Sequence, residues 1–89
     1  AKGDSMLPTI PNGAFMIVDQ SRQNIVDEEV FVFRVGTGLK VKRAYWRMDN
    51  DLELRSDNEV NGYPPEIIGK DMADDLAVIG QVLSLLRKA

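Results

Sequence analysis

Two residues of this 89-residue chain are of types that, brought together, could cut a peptide bond. One is Ser5, in the run GDSMLPTI, and the other is Lys42, in the strand-like run LKVKRAYW. A serine attacks a carbonyl only when something removes its hydroxyl proton. The chain contains neither histidine nor cysteine, so a Ser-His-Asp triad and a thiol nucleophile are both excluded. What remains is a neutral lysine as general base, the Ser-Lys arrangement. The chemistry in view is acyl transfer, with Ser5 as nucleophile and Lys42 as base. It calls for no metal or cofactor, and none is expected.

The surroundings of Ser5 suit that role. Gly3 permits a backbone shape that a side chain would forbid, and so places Ser5 on a tight bend. Such a bend aligns successive N–H groups, as an oxyanion hole requires. The Ser5 amide, joined by that of Asp4, is the candidate donor pair. Met6 is flexible and apolar, fit to line a shallow substrate groove. The competing reading is a plain turn in which Ser5 or Asp4 caps the residues that follow. Ser21 and Ser84 lie in a polar loop and a late apolar strand, without comparable neighbours.

A lysine base makes its own demand. A free lysine has a pKa near 10.4, so only about one in 2,500 is neutral at pH 7. Lowering that value by some three units costs roughly 4 kcal/mol. Alternation along residues 39–46 sets Lys40, Lys42, Ala44 and Trp46 on one face and Leu39, Val41, Arg43 and Tyr45 on the other. Burial of Lys42 against Ala44 and Trp46 would supply desolvation, and Lys40 would add like-charge repulsion. The competing reading is a solvated basic strand edge, which guards against aggregation.

The elements that must position these residues read as strands. Short apolar runs rich in Val, Ile, Phe and Tyr alternate with Gly, Asn, Asp and Pro. Strands are expected at residues 15–19, 30–35, 39–46, 52–56 and 77–86. Gly36-Thr37-Gly38 signals a hairpin, and Asp49-Asn50-Asp51 a second turn. Pro8, Pro11 and Asn12-Gly13 keep the stretch after the serine irregular, leaving at most one helical turn at residues 6–10. In the last run Gly80 would cost a helix about 1 kcal/mol, which favours a strand there. Residues 1–89 make one mostly β domain, a compact antiparallel fold.

Composition narrows the partners. A chain of this size buries only about 60–65% of its unfolded surface, so its core is small and association with a second copy is natural. The net charge is −3 and the pI about 4.8, which makes the domain itself a poor nucleic-acid binder. No apolar run approaches the roughly 20 residues of a membrane span. The absence of cysteine fits a reducing cytoplasm. The chain begins with Ala1 rather than Met, and a further region upstream is expected.

Taken together, GDSMLPTIPNG, the FMIVD strand, the acidic turn before VFVFRV, and LKVKRA, LRSDN, YPPEII and VIGQVL resemble the C-terminal domain of the LexA-like self-cleaving proteins. That family includes the LexA repressor, many prophage repressors and the UmuD protein, and the resemblance covers nearly the whole chain. It implies a LexA/signal-peptidase-like β fold that dimerises through a late strand, here residues 77–86. It implies that Ser5 attacks a peptide bond upstream in the same chain, with Lys42 as its base. DNA would be bound only through an N-terminal helix-turn-helix domain outside this chain, and a RecA filament would trigger cleavage in an SOS-type response. Relatives often carry a threonine two residues before the lysine, where its hydroxyl orients the amine; here Lys40 stands in that place. The stretch from Ser56-Asp57-Asn58 to Tyr63-Pro64 is also longer, through Glu59-Val60-Asn61-Gly62.

Two other functions fit these residues. A repressor domain could keep the fold for dimerisation alone, under control of a ligand or an antirepressor protein. A type I signal peptidase shares the nucleophile segment and the strand lysine, but requires a membrane anchor.

Overall fold

The computed structural model describes residues 5–7, 9–10, 13–58, 62–73 and 75–86, with side chains as far as Leu83. The readings made above for Gly3, Asp4, Pro8, Pro11, Asn12 and residues 59–61 lie outside the described residues. Six strands form one antiparallel sheet: β1 (Phe15–Asp19), β2 (Val30–Val35), β3 (Gly38–Trp46), β4 (Leu52–Arg55), β5 (Glu66–Ile68) and β6 (Val78–Leu86). Their spatial order is β1-β6-β2-β3-β4-β5. The mostly β, antiparallel fold read from the sequence is the one observed.

Local chemistry explains the hairpins. Val35 pairs with Gly38, leaving a two-residue loop in which Gly36 takes φ 60°. A positive φ at the first loop position suits a type II′ turn, for which glycine is favoured. Between β3 and β4, Asn50 takes φ 69° and the Asp49 carboxylate accepts from the Asp51 amide at 3.0 Å. Asparagine tolerates that conformation, and the carboxylate mimics a backbone turn.

Two apolar layers cover the sheet. On one face Phe31, Phe33, Ala44, Leu52 and Leu54 form a cluster, joined by Ile25, Ile68, Ala73 and Leu76. On the other, Met6, Ile10, Ala14 and Val30 pack with Met16, Val41 and Val82. The period-two alternation of Val30, Phe31, Val32 and Phe33 feeds both layers from one strand. Gly80 lies where the chain is most crowded. A Cβ there would come within 2.5 Å of the Asp19 carbonyl oxygen, so the close approach of β1 to β6 requires glycine.

Two elements were not expected from the sequence. Strand β5 follows Tyr63-Pro64-Pro65 and is only three residues long. The short helix α1 (Lys70–Ala73) lies beyond β5 rather than after the nucleophile. After the nucleophile, the Ile10 amide donates to the Met6 carbonyl at 2.8 Å, the spacing of the single helical turn allowed there.

Candidate active site

Lys42 comes from β3, where the ladder sets Phe31 of β2 directly across from it. Phe31 is fully buried and Lys42 is 9% exposed. The apolar stem of the lysine therefore lies beside an aromatic ring on the same sheet face, which removes water from it. On the other side, β3 and β4 pair from Trp46↔Leu52 to Arg43↔Arg55. One further step along that register places Ser56 opposite Lys42, and Lys42 Nζ donates to Ser56 Oγ at 2.6 Å. Ser56 is 2% exposed, and this hydroxyl satisfies a cation that burial would otherwise leave unmatched. Trp46, expected to help cover Lys42, is 40% exposed and spends its indole N–H on the Ile25 carbonyl. Lys40 is exposed.

Ser5 and Met6 reach the same place from the N-terminal segment. They line one groove of about 630 Å3 with Lys42, and Ile10, Val41 and Tyr63 add apolar wall. Lys40 and Glu66 set opposite charges along it. Met6 is 4% exposed and anchors the segment in the second apolar layer. Among the described residues Lys42 forms no hydrogen bond with Ser5; its bond goes to Ser56. The sequence thus led to Ser5, Met6 and Lys42, which share one groove, and missed Ser56 as the residue that holds the amine.

Residues 56–58 connect the two halves of the site. Asp57 accepts from Arg43 Nε at 3.0 Å and Nη2 at 2.8 Å, and from the Thr9 hydroxyl. Its own amide points at the Met6 sulfur, 3.5 Å away. The Asn58 amide donates to the Ser5 carbonyl at 2.9 Å. Burial by itself would push the Asp57 carboxyl up. The hydrogen bonds from Arg43 and Thr9, together with the guanidinium charge, outweigh it and hold the carboxyl below its ordinary value. Among the described residues every buried side-chain nitrogen and oxygen has a partner.

The groove also borders a length of open strand. Residues 38–42 of β3 pair with β2, whereas β4 covers only Arg43 to Trp46. Ser56 lies across from Lys42, and among the described residues no strand occupies the other side of 38–41. An extended peptide could pair with that free edge next to Ser5.

Comparison with known proteins gives this arrangement a family. Residues 1–83 match the Peptidase S24-like family. The chain is 40% identical over 85 residues to an uncharacterised HTH-type transcriptional regulator of Haemophilus influenzae, covering 96% of this chain and 35% of that protein. It is 33% identical over 75 residues to Repressor protein CI of Enterobacteria phage phi80, covering 78% of this chain and 32% of that protein. The chain belongs to the Peptidase S24-like family. It spans about a third of the length of these two relatives.

Proposed function

We propose that this chain is the self-cleaving and dimerising domain of a bacterial or prophage transcriptional repressor, with Ser5 as nucleophile and Lys42 as general base. The observation that carries the reading is a buried lysine held by Ser56 on the same groove as a half-exposed serine. Ser5 rather than Ser56 is assigned as the nucleophile because Ser5 is half-buried and lines the groove, whereas Ser56 is 2% exposed. The hydroxyl that orients the amine comes from Ser56, in place of the one missing at Lys40.

Neutral Lys42 Nζ takes the proton of Ser5 Oγ as that oxygen bonds to the scissile carbonyl carbon. The oxyanion rests on the Ser5 amide. Collapse of the tetrahedral intermediate breaks the C–N bond, and the departing amine takes the proton from the Lys42 ammonium. Water, deprotonated by Lys42, then releases the acyl group from Ser5. The substrate is an extended segment upstream in the same polypeptide, paired to the free edge of residues 38–41. Contact with a RecA filament would favour its docking. Operator DNA is bound by another domain of the whole protein, in the cytoplasm. The described residues contain no helix long and apolar enough to cross a membrane.

A second reading is favoured by the absence, among the described residues, of a Lys42–Ser5 hydrogen bond. The domain would then dimerise only, under an antirepressor or ligand. Incubating the full-length protein near pH 10, where lysine loses its proton without help, separates the two. Self-cleavage that disappears in Ser5→Ala and in Lys42→Met supports the peptidase. An intact chain after prolonged incubation leaves the dimerisation module standing instead.

A further inference from the structure

We propose that Asp57, gripping Thr9 on one side and Arg43 on the other, is the latch that holds the Ser5 segment in reach of Lys42. The inference rests on the peptidase reading and adds positioning residues to it. Ser5 and Lys42 lie on separate parts of the chain, and among the described residues no hydrogen bond joins them. Something else must fix their separation, since a misplacement of about 1 Å can cost a hundredfold in rate.

The three residues following β4 provide that link. Ser56 holds the amine of Lys42, and Asn58 holds the carbonyl of Ser5 through its amide. Asp57 stands between them. Its carboxylate takes both Arg43 Nε and Nη2, a forked pairing that fixes orientation as well as distance. Arg43 adjoins Lys42 in sequence, and its Nη1 is tied to the Glu28 carbonyl at 2.8 Å, so the carboxylate is set relative to the base strand. The Thr9 hydroxyl then fastens the nucleophile segment to that fixed carboxylate. Thr9 is exposed, so packing does not account for its hydroxyl. Neither Asp57 nor Thr9 would touch substrate.

Thr9→Val keeps the shape of the side chain and removes only its donor, while Thr9→Ser restores the donor. The full-length protein is treated with a serine-directed fluorophosphonate from pH 6 to pH 10, and the rate of Ser5 modification is read by mass. Thr9→Val is expected to lower the high-pH plateau about tenfold or more without moving the pH midpoint, because the base is untouched. Thr9→Ser is expected to return it to within about twofold of the parent. Hydrogen exchange at the Asn58 and Ile10 amides, measured alongside, is expected to quicken in Thr9→Val only. A plateau unchanged in Thr9→Val, a shifted midpoint, or a loss that serine does not repair overturns the latch. If Ser5 fails to react even in the parent, the peptidase reading falls. The exchange data then decide the latch alone: unchanged protection in Thr9→Val rejects it.

Discussion

On the proposed mechanism, Ser56 lets a buried cation serve as a base. Lys42 is 9% exposed, and an ammonium so placed needs a partner that does not also lock it in the charged state, as a carboxylate would. A hydroxyl meets that need, since it accepts from the ammonium and can donate to the neutral amine. Asp57, the next residue, has the opposite character, with its carboxyl held below the ordinary value by Arg43 and Thr9 against the push of burial. A depressed folded value means that its contribution is fully present above the unfolded value of 3.8 and is lost as the pH falls through the lower folded value. Asp57→Asn should therefore destabilise the domain by about 1.5–3 kcal/mol at pH 7, the range for hydrogen bonds to charged groups. Urea unfolding across pH should show the gap between parent and variant closing well below 3.8. A gap that persists undiminished in acid would remove Asp57 from the pH-dependent part of stability.

At the scale of elements, Gly80 shows how packing overrides local preference. Its absence of a side chain lets the β1 backbone at Asp19 come close to β6. Gly80→Ala must displace backbone atoms rather than a flexible side-chain end, and should cost about 1–3 kcal/mol. A denaturation midpoint equal to that of the parent would show that β1 can move aside freely. The same contrast explains what could be read in advance. Strands β1 and β2 were visible because alternating Val, Ile and Phe runs end at polar or glycine turns. Strand β5 was not, because three residues after Pro64-Pro65 are too few for a period to register, and a four-residue helix leaves no amphipathic stripe. Ser5 and Lys42 stood out by residue type and motif. Ser56 did not, because its role depends on the pairing of β4 with β3. The turn at Asp49-Asn50-Asp51 held the signal: folding residues 42–56 about it sets Ser56 across from Lys42.

Across the whole molecule, the two ends of the sheet differ. The groove lies along β3, lined by Lys40, Val41 and Lys42, whereas β1 is an edge strand bearing Phe15 at 60% and Ile17 at 46% exposure, near Leu83 of β6 at 46%. Apolar side chains on an exposed edge invite pairing with another chain. We propose that a second copy covers them, consistent with the late strand assigned to dimerisation. Sedimentation should give a dimer that Phe15→Glu converts to monomer. A parent that stays monomeric at high concentration rules this surface out. Cleavage by Ser5 is the claim on which the function stands, and covalent labelling tests it most directly. Treated with a fluorophosphonate near pH 9, the full-length protein should gain a single adduct on the peptide containing Ser5, and Lys42→Met should abolish it. An adduct on Ser56, or labelling of Ser5 that is indifferent to Lys42→Met, would contradict the Ser5–Lys42 assignment.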